Sequence, residues 1–351
     1  MYAVIMAGGK GERLWPKSVK GRAKHVLAFG TRNAMIKETI NRLKQHLPIE
    51  NIFLVTTKKQ FPTLKSYVSS LDKKNIILEP EGKDTAAAVC LGALLLEKRF
   101  GNSTMVVLPA DHVIKDSKAF FDILLSAEKT AEQNSSLVTI GIKPKYPSVG
   151  YGYIEIGKKL KGCYRVRRFI EKPNKKKAET IYRKKNYLWN SGIFIWKTNS
   201  ILTAFKRYMP DIYYVLNDTV KFEGRKGYAL KLANEYSGFK PISIDYGVME
   251  FAAKNRSQSI FCIKSNFDWV DIGSWSSVEE IYVKDVNGNI VLARTALIDV
   301  RNSTIIGERS HKIGVIGAKN LIIVQTSTGT LICNKDMAQQ VKQLVKKFIL
   351  D

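Results

Sequence analysis

The chain of 351 residues is poor in the residues that staple, anchor or carry redox chemistry. Its four cysteines, Cys90, Cys163, Cys262 and Cys333, are scattered, and no Cys-x-x-Cys pair occurs. This excludes a zinc ribbon and a disulfide framework; reduced, mostly buried thiols in a cytoplasmic protein are expected. Long apolar runs are also missing. Val89–Leu96 falls far short of the roughly 20 residues that a membrane helix needs, so no membrane partner is expected. Met1 to Ala7 has no basic segment before its apolar stretch and reads as a first strand, not a signal peptide. Acidic charge is scarce: 57 Lys and Arg face 31 Asp and Glu, for a net charge of +26. Residues 143–187 alone hold 15 Lys/Arg and 3 Glu. Such a stretch serves either phosphate neutralisation on nucleic acid or the handling of small polyanions on a lysine-rich surface. The basic residues do not alternate with aromatics as a base-stacking groove requires, which disfavours nucleic acid.

What remains is a soluble composition, 45% hydrophobic and 25% charged, in a chain long enough for a large domain and a smaller appendage. Apolar runs at Tyr2–Ala7, Ile52–Thr56, Met105–Leu108, Ser136–Ile142 and Ile193–Trp196 predict strands. Between them, Met35–Leu47, Gln60–Leu71, Thr85–Arg99 and Lys118–Glu132 read as helices, with Asp84 as the N-cap of the third. The alternation predicts an α/β fold: a Rossmann-like, mixed but mostly parallel sheet flanked by helices, with ligands gathered at the carboxyl ends of the strands. After about residue 284 the pattern changes to short β pieces, Asn289–Ala293, Ala296–Val300, Thr304–Ile306, Gly314–Ile316, Leu321–Gln325 and Gly329–Cys333, closed by a helix over Met337–Phe348. Two domains are therefore expected, 1–284 and 285–351, the second a small β domain with a few turns of β-helix.

The strongest local signal is Ala7-Gly8-Gly9-Lys10-Gly11-Glu12-Arg13-Leu14-Trp15-Pro16, directly after the first strand. Glycines there let backbone N–H groups approach phosphates without Cβ interference, and Lys10, Arg13 and Lys24 add cations suited to a triphosphate. Neither a dinucleotide fingerprint nor a Walker loop fits: Leu14 stands where the third glycine would be, and no Gly-Lys-Ser/Thr occurs.

Gly8-Gly9-x-Gly11-x-Arg13-Leu14-Trp15-Pro16-x-Ser18, with Lys24 downstream, resembles the opening of the nucleotidyltransferases that make GDP-mannose, the mannose-1-phosphate guanylyltransferases. The likeness continues in order through Glu79-Pro80, Pro109-Ala110-Asp111-His112, Gly150 to Ile154, Phe169 to Pro173, Trp189 to Phe194, Ser243 to Glu250 and Trp269 to Trp275. The stretch through Asn334 resembles that family's small left-handed β-helical domain. The resemblance implies an enzyme that joins GTP and mannose 1-phosphate into GDP-mannose and pyrophosphate with Mg²⁺, and it suggests a homodimer. Catalytic residues would be Arg13, Lys24, Asp111 and Asp271, with Asp111 and Asp271 as the metal ligands. The nucleotide would lie against Ala7, Gly8, Gly9, Gly11, Arg13, Lys24, Glu79, Pro80, Asp84, Thr85 and Asp111. Gly152, Glu171, Lys172 and Asn190 would take the sugar phosphate. The assignment is chemically coherent: an aspartate after an apolar strand is a hard oxygen ligand where the sheet gathers its ligands. An ionised phosphate nucleophile needs no general base, in keeping with the lack of any Ser-His-Asp or His-Glu-x-x-His pattern. For Trp189, Trp196, Trp269 and Trp275, core packing is expected.

The chain departs from the family pattern at four positions. Ala23 stands where proline is usual and His25 where glutamine is usual. Lys83 and Asp84 occupy the usual Arg-Asn positions, exchanging a planar fork for a point charge and two amide donors for an anion. The last pair leaves another NTP or sugar 1-phosphate open, beside a non-catalytic nucleotide-sugar or nucleic-acid binder. No isomerase-type domain follows residue 351, so a bifunctional enzyme is not expected.

Overall fold

A computed structural model describes the chain apart from residues 10, 20, 256–258, 266 and 351 and the side chains of 134, 349 and 350. Lys10, one of the cations singled out above, lies outside the described residues. The chain forms two compact units that interleave in sequence. One comprises Met1–Gly8, Ile40–Ala110 and Ile114–Trp269; the other comprises Gly9–Thr39, Asp111–Val113 and Val270–Asp351. The glycine-rich loop thus groups with the C-terminal part, whereas the expected boundary at 284/285 follows chain order.

The strands in chain order are β1 (Tyr2–Met6), β2 (Ile52–Thr57), β3 (Ile76–Glu79), β4 (Thr104–Pro109), β5 (His112–Ile114), β6 (Leu137–Ile142), β7 (Tyr153–Leu160), β8 (Cys163–Ile170), β9 (Tyr187–Lys197), β10 (Ile260–Lys264) and β11 (Trp269–Asp271). Six more follow: β12 (Ile290–Leu292), β13 (Arg294–Ile298), β14 (Thr304–Ile306), β15 (Lys312–Ile316), β16 (Leu321–Thr326) and β17 (Gly329–Asn334).

The first unit holds a nine-stranded mixed sheet in the order β3-β2-β1-β4-β9-β6-β10-β8-β7. The pairings β1–β2, β1–β4, β2–β3 and β6–β10 are parallel. Only β8 and β9 run against the other strands. Strands β2 and β6 are buried at every position, the signature of a sheet covered on both faces. The Ala-rich helix Asp84–Phe100 can lie close to the sheet because Gly92 has no Cβ; one there would sit 3.6 Å from Val4. Trp189 and Trp196 fill the core, each at most 1% exposed. The basic stretch leaves Lys158, Lys159, Lys161, Arg165, Arg167 and Arg168 exposed along the β7–β8 hairpin.

Two local expectations are corrected. Helix Gln60–Leu71 shrinks to Phe61–Leu64, because the following serine-rich stretch continues in tight turns closed by bonds such as Tyr67 N–H to the Leu64 carbonyl, 2.8 Å. Asp84 is not the N-cap of its helix. Lys83 holds that position without a side-chain bond, while Asp84 opens the helix at φ 61° and its carboxylate accepts the neighbouring Thr85 N–H at 2.8 Å.

The second unit contains the β-helix-like region. Strands β12, β14 and β16 stack in parallel register, as do β13 and β15, and antiparallel β17 closes the stack. Ile290, Thr304 and Ile322 lie in one buried inward column. The turns are held by an asparagine ladder: Asn302 donates to Asn320, and Asn320 to Asn334, each at 3.1 Å. Asn302 and Asn320 adopt positive φ, which asparagine tolerates better than most residues. The chain ends in a 3₁₀ segment, Lys335–Gln340, and helix Val341–Leu350. The shared core of this unit joins Leu14, Leu27 and Phe29 to Ile272, Trp275, Ile322 and Val341.

Asn289 opens the β-helix-like region while 2% exposed, donating to the Val300 carbonyl and accepting from Ser303 N–H, each at 2.9 Å. Replacing it with leucine strands both backbone groups. Asn289→Leu should cost about 2–4 kcal/mol of unfolding free energy in chemical denaturation.

Candidate active site

The glycine-rich loop is shaped by what must pass beneath it. Gly11 sits at φ 71°, and a Cβ there would lie 2.6 Å from Lys24 Cβ and 2.7 Å from Ser18 Oγ. A glycine is therefore required twice, for the left-handed backbone and for the space. Leu14, fully buried, pins the loop to its unit's core. Lys24 starts the tight turn Lys24–Val26 and sends its ammonium to the Asp111 carboxylate and to within 3.8 Å of Asp271.

Asp111 and Asp271 are 160 positions apart in sequence, but β5 and β11 pair in a two-stranded ribbon that brings them together. Asp111, His112 and Asp271 each offer a ligand atom within 4.8 Å of the others. After Asp271 the chain turns at Gly273, and a Ser274/Ser277 capping box starts helix Trp275–Val278. Arg13 lies on the same turn: a Cβ on Gly273 would be 3.6 Å from its Nη2 and 3.7 Å from an Asp271 carboxylate oxygen. The residues Gly9, Gly11, Arg13, Lys24, Asp111 and Asp271 thus form one cluster in the second unit.

The other expected nucleotide residues belong to the first unit. The Ala7 carbonyl accepts the buried Thr56 hydroxyl at 2.8 Å, and the Gly8 carbonyl accepts from Gln60 at 3.2 Å. At the end of β3 the Glu79 carboxyl is buried and takes a hydrogen bond from the Tyr236 hydroxyl. Desolvation pushes Glu79 up to about 7 and also raises Tyr236. After Pro80, Lys83 is drawn to Glu81 at 2.9 Å and to the Ser237 carbonyl at 2.8 Å, while the Asp84 carboxylate is exposed. The Thr85 hydroxyl accepts the Ile244 N–H at 2.9 Å.

Gly152, Glu171, Lys172 and Asn190 also come together, just before β7, just after β8 and on β9. Any Cβ at Gly152 would collide with the Glu171 carboxylate, so glycine is what admits that carboxylate to the backbone. Lys172 pairs with Glu171 at 2.7 Å and is held at φ 39°, a strained value for a non-glycine residue. Asn190 is oriented at both ends: its amide nitrogen donates to Asp245 at 2.6 Å and its oxygen accepts the Gly192 N–H at 3.2 Å. Asp245 begins a π-helical turn, Asp245–Met249, a rare geometry concentrated at functional sites. Burial, together with repulsion from Glu171, pushes its carboxyl up to about 7. Partial burial opposes the charge of Lys172, but Glu171 prevails and raises it.

Residues 2–288 match the family model described as nucleotidyl transferase, and 293–348 match a mannose-phosphate isomerase/GMP-like β-helix domain. The chain belongs to the nucleotidyl transferase family. A mannose-1-phosphate guanylyltransferase of Escherichia coli is 35% identical over 99% of this chain and 75% of its own length. The alginate biosynthesis protein AlgA of Pseudomonas syringae pv. tomato is 35% identical over 98% of this chain and 71% of its own. A solved structure from Thermus thermophilus, described as a mannose-1-phosphate geranyltransferase, superposes with a TM-score of 0.88 at 31% identity, covering 99% of this chain and 98% of that one.

Three residues of these nucleotidyl transferase clusters escaped the sequence reading as site residues. Asp245 lies within the Ser243 to Glu250 motif and His112 lies beside Asp111, but neither position by itself implies a role. Gln339, whose Oε1 accepts from Arg13 at 2.7 Å, carried no signal at all.

His25 is 1% exposed, its Nε2 has no hydrogen-bond partner among the described residues, and burial beside Lys24 lowers its pKa to about 4. The folded state holds it neutral, while the unfolded chain takes up its proton below about 6.5. Its contribution is therefore complete above pH 6.5 and is lost as pH falls towards 4, by up to about 3 kcal/mol. His25→Gln should flatten the unfolding free energy measured between pH 7 and 4.5.

Proposed function

We propose that this nucleotidyl transferase joins GTP and mannose 1-phosphate into GDP-mannose and pyrophosphate. The observation that carries the reading is the convergence of Asp111, Asp271 and Lys24 behind a glycine-rich loop that tolerates no Cβ at Gly11. It is supported by relatives named mannose-1-phosphate guanylyltransferase that match nearly the whole chain.

In the reaction, an oxygen of the sugar phosphate attacks the α-phosphorus in line. The new P–O bond forms as the bond to the bridging oxygen of pyrophosphate breaks. The attacking phosphate is already ionised near neutral pH, so alignment and charge stabilisation are the whole task. Arg13 supplies a planar fork of donors for phosphate oxygens. Lys24, now on the two carboxylates, supplies a mobile point charge. Backbone N–H groups at Gly8, Gly9 and Gly11 can approach the phosphates without side chains in the way. Glu171 and Asn190 take sugar hydroxyls, with Asn190 pre-oriented by Asp245, and Lys172 neutralises the sugar phosphate.

The acidic pair fits Mg²⁺: two carboxylates close together offer hard oxygen donors, and a cation, the Lys24 ammonium, already bridges them. Bound by Asp111 and Asp271, Mg²⁺ would supply positive charge at the α-phosphate and at the leaving pyrophosphate. The free buried thiols Cys90, Cys163 and Cys262 suit a cytoplasmic setting, and the family resemblance suggests a homodimer.

A second reading, another NTP for the same chemistry, is favoured by one observation: Lys83 is occupied with Glu81 and Ser237 while Asp84 is exposed. A panel of NTPs and sugar 1-phosphates, followed by pyrophosphate release, decides between them. GTP with mannose 1-phosphate should lead by at least about tenfold in kcat/KM; a lead for another pair overturns the substrate assignment. Asp111→Asn should cut Mg²⁺-dependent release on the order of 100-fold or more, with the circular dichroism spectrum unchanged. Wild-type turnover in that variant removes the metal assignment.

A further inference from the structure

The C-terminal segment grips the glycine-rich loop at several points. Thr328 Oγ1 donates to the Pro16 carbonyl at 3.0 Å. Trp15 lies over Gly329, where a Cβ would come within 2.8 Å of its ring, and the Trp15 and Phe348 ring centroids are 5.1 Å apart. Lys342 reaches Glu12 at 3.5 Å. One contact differs in kind, because it ends on a group proposed to act on substrate. The exposed Gln339 accepts from Arg13 Nη1 at 2.7 Å, and its amide nitrogen donates to Ser274 Oγ at 3.2 Å. Ser274 is 3% exposed and caps the helix three residues after Asp271.

The amide therefore ties the Arg13 guanidinium to the turn that carries Asp271. Its chemistry matters as much as its position. A carboxylate in the same place would hold Arg13 more tightly but would also compensate its charge. A neutral acceptor fixes the direction of the guanidinium and leaves its charge uncompensated. Among the described residues, Arg13 has no ion pair. We infer that Gln339 is a positioning residue for the nucleotide: it aims Arg13 at the triphosphate without neutralising it, which makes the C-terminal segment part of the nucleotide site. This role rests on the reading of Arg13 as a triphosphate contact.

Two substitutions separate positioning from mere attachment. Gln339→Leu removes the acceptor, and Gln339→Glu keeps the contact while compensating the charge. Both should raise KM for GTP about tenfold or more, the first by losing a hydrogen bond to a charged group and the second by compensating that charge, and leave KM for mannose 1-phosphate within about twofold. Gln339→Glu should keep or raise Tm, since it strengthens attachment. In an Arg13→Ala background, Gln339→Leu should add nothing further. Normal GTP KM in Gln339→Glu overturns the inference. So does a loss in Gln339→Leu that is equal for both substrates and tracks a fall in Tm. The unsubstituted protein is measured alongside, by turnover and by calorimetric titration with GTP. If it neither binds GTP nor releases pyrophosphate, the functional reading itself fails. If it does both and the variants match it, only the role of Gln339 fails.

Discussion

Two carboxylates brought within a few ångströms of each other repel, and the arrangement persists only where a cation shares the space. Among the described residues Lys24 is such a cation, set on Asp111 and near Asp271. Much of the second unit serves this grouping. Gly11 leaves room for the lysine's own Cβ, the β5–β11 ribbon aligns the two aspartates, and the capping box at Ser274 fixes the turn beyond Asp271. All three acidic and basic side chains are less than a third exposed, so water screens them weakly and the charge pattern is built in before any ligand arrives.

The cluster around Lys172 follows the opposite plan. There Glu171, Asp245 and Glu250 surround one lysine and one oriented amide, and Glu250 accepts the Glu171 N–H at 3.3 Å. Acceptors predominate, which suits a ligand that brings many O–H donors, as a hexose does. The cost is visible in the backbone and in the burial of charge: Lys172 is held at φ 39°, and desolvation with repulsion from Glu171 holds the Asp245 carboxyl far above the usual carboxylate range. Strain and a displaced carboxyl in the same few residues are features that concentrate at functional sites. His25, buried with an unsatisfied nitrogen next to Lys24, is a similar local conflict.

The clusters were legible in the sequence to unequal degrees. Gly11, Lys24, Asp111 and Asp271 could be named because the ordered motifs around them resemble those of the guanylyltransferases; an aspartate after an apolar strand is by itself more often a turn residue or a helix cap. The β-helix-like tail, whose six short strands all form, was legible as a run of short β pieces with small or polar turns, and its β-helical character came from the same family resemblance. The helix at Gln60–Leu71 failed because periodicity says where an apolar face lies and not how far a serine-rich stretch can sustain i→i−4 bonds. Lys83 and Asp84 show a subtler limit. Their charges suggested a direct role in choosing the base, but folding gives Lys83 other partners.

The linear chain by itself determined β1, β2, β4, β6 and β9, the short strands of the tail, the glycine and aspartate positions, and the family to which they belong. These are properties of local pattern, set by Cβ sterics and by the period of apolar residues. Tertiary structure alone decided which distant groups meet: Asp111 with Asp271, Asn190 with Asp245, and Arg13 with Gln339 across 326 positions. Those contacts arise from the closure of long loops by strand pairing and core packing, and no local spacing encodes them. The glutamine is the clearest case, because an exposed polar residue in a C-terminal helical turn acquires meaning only from the charge that folding places beside it.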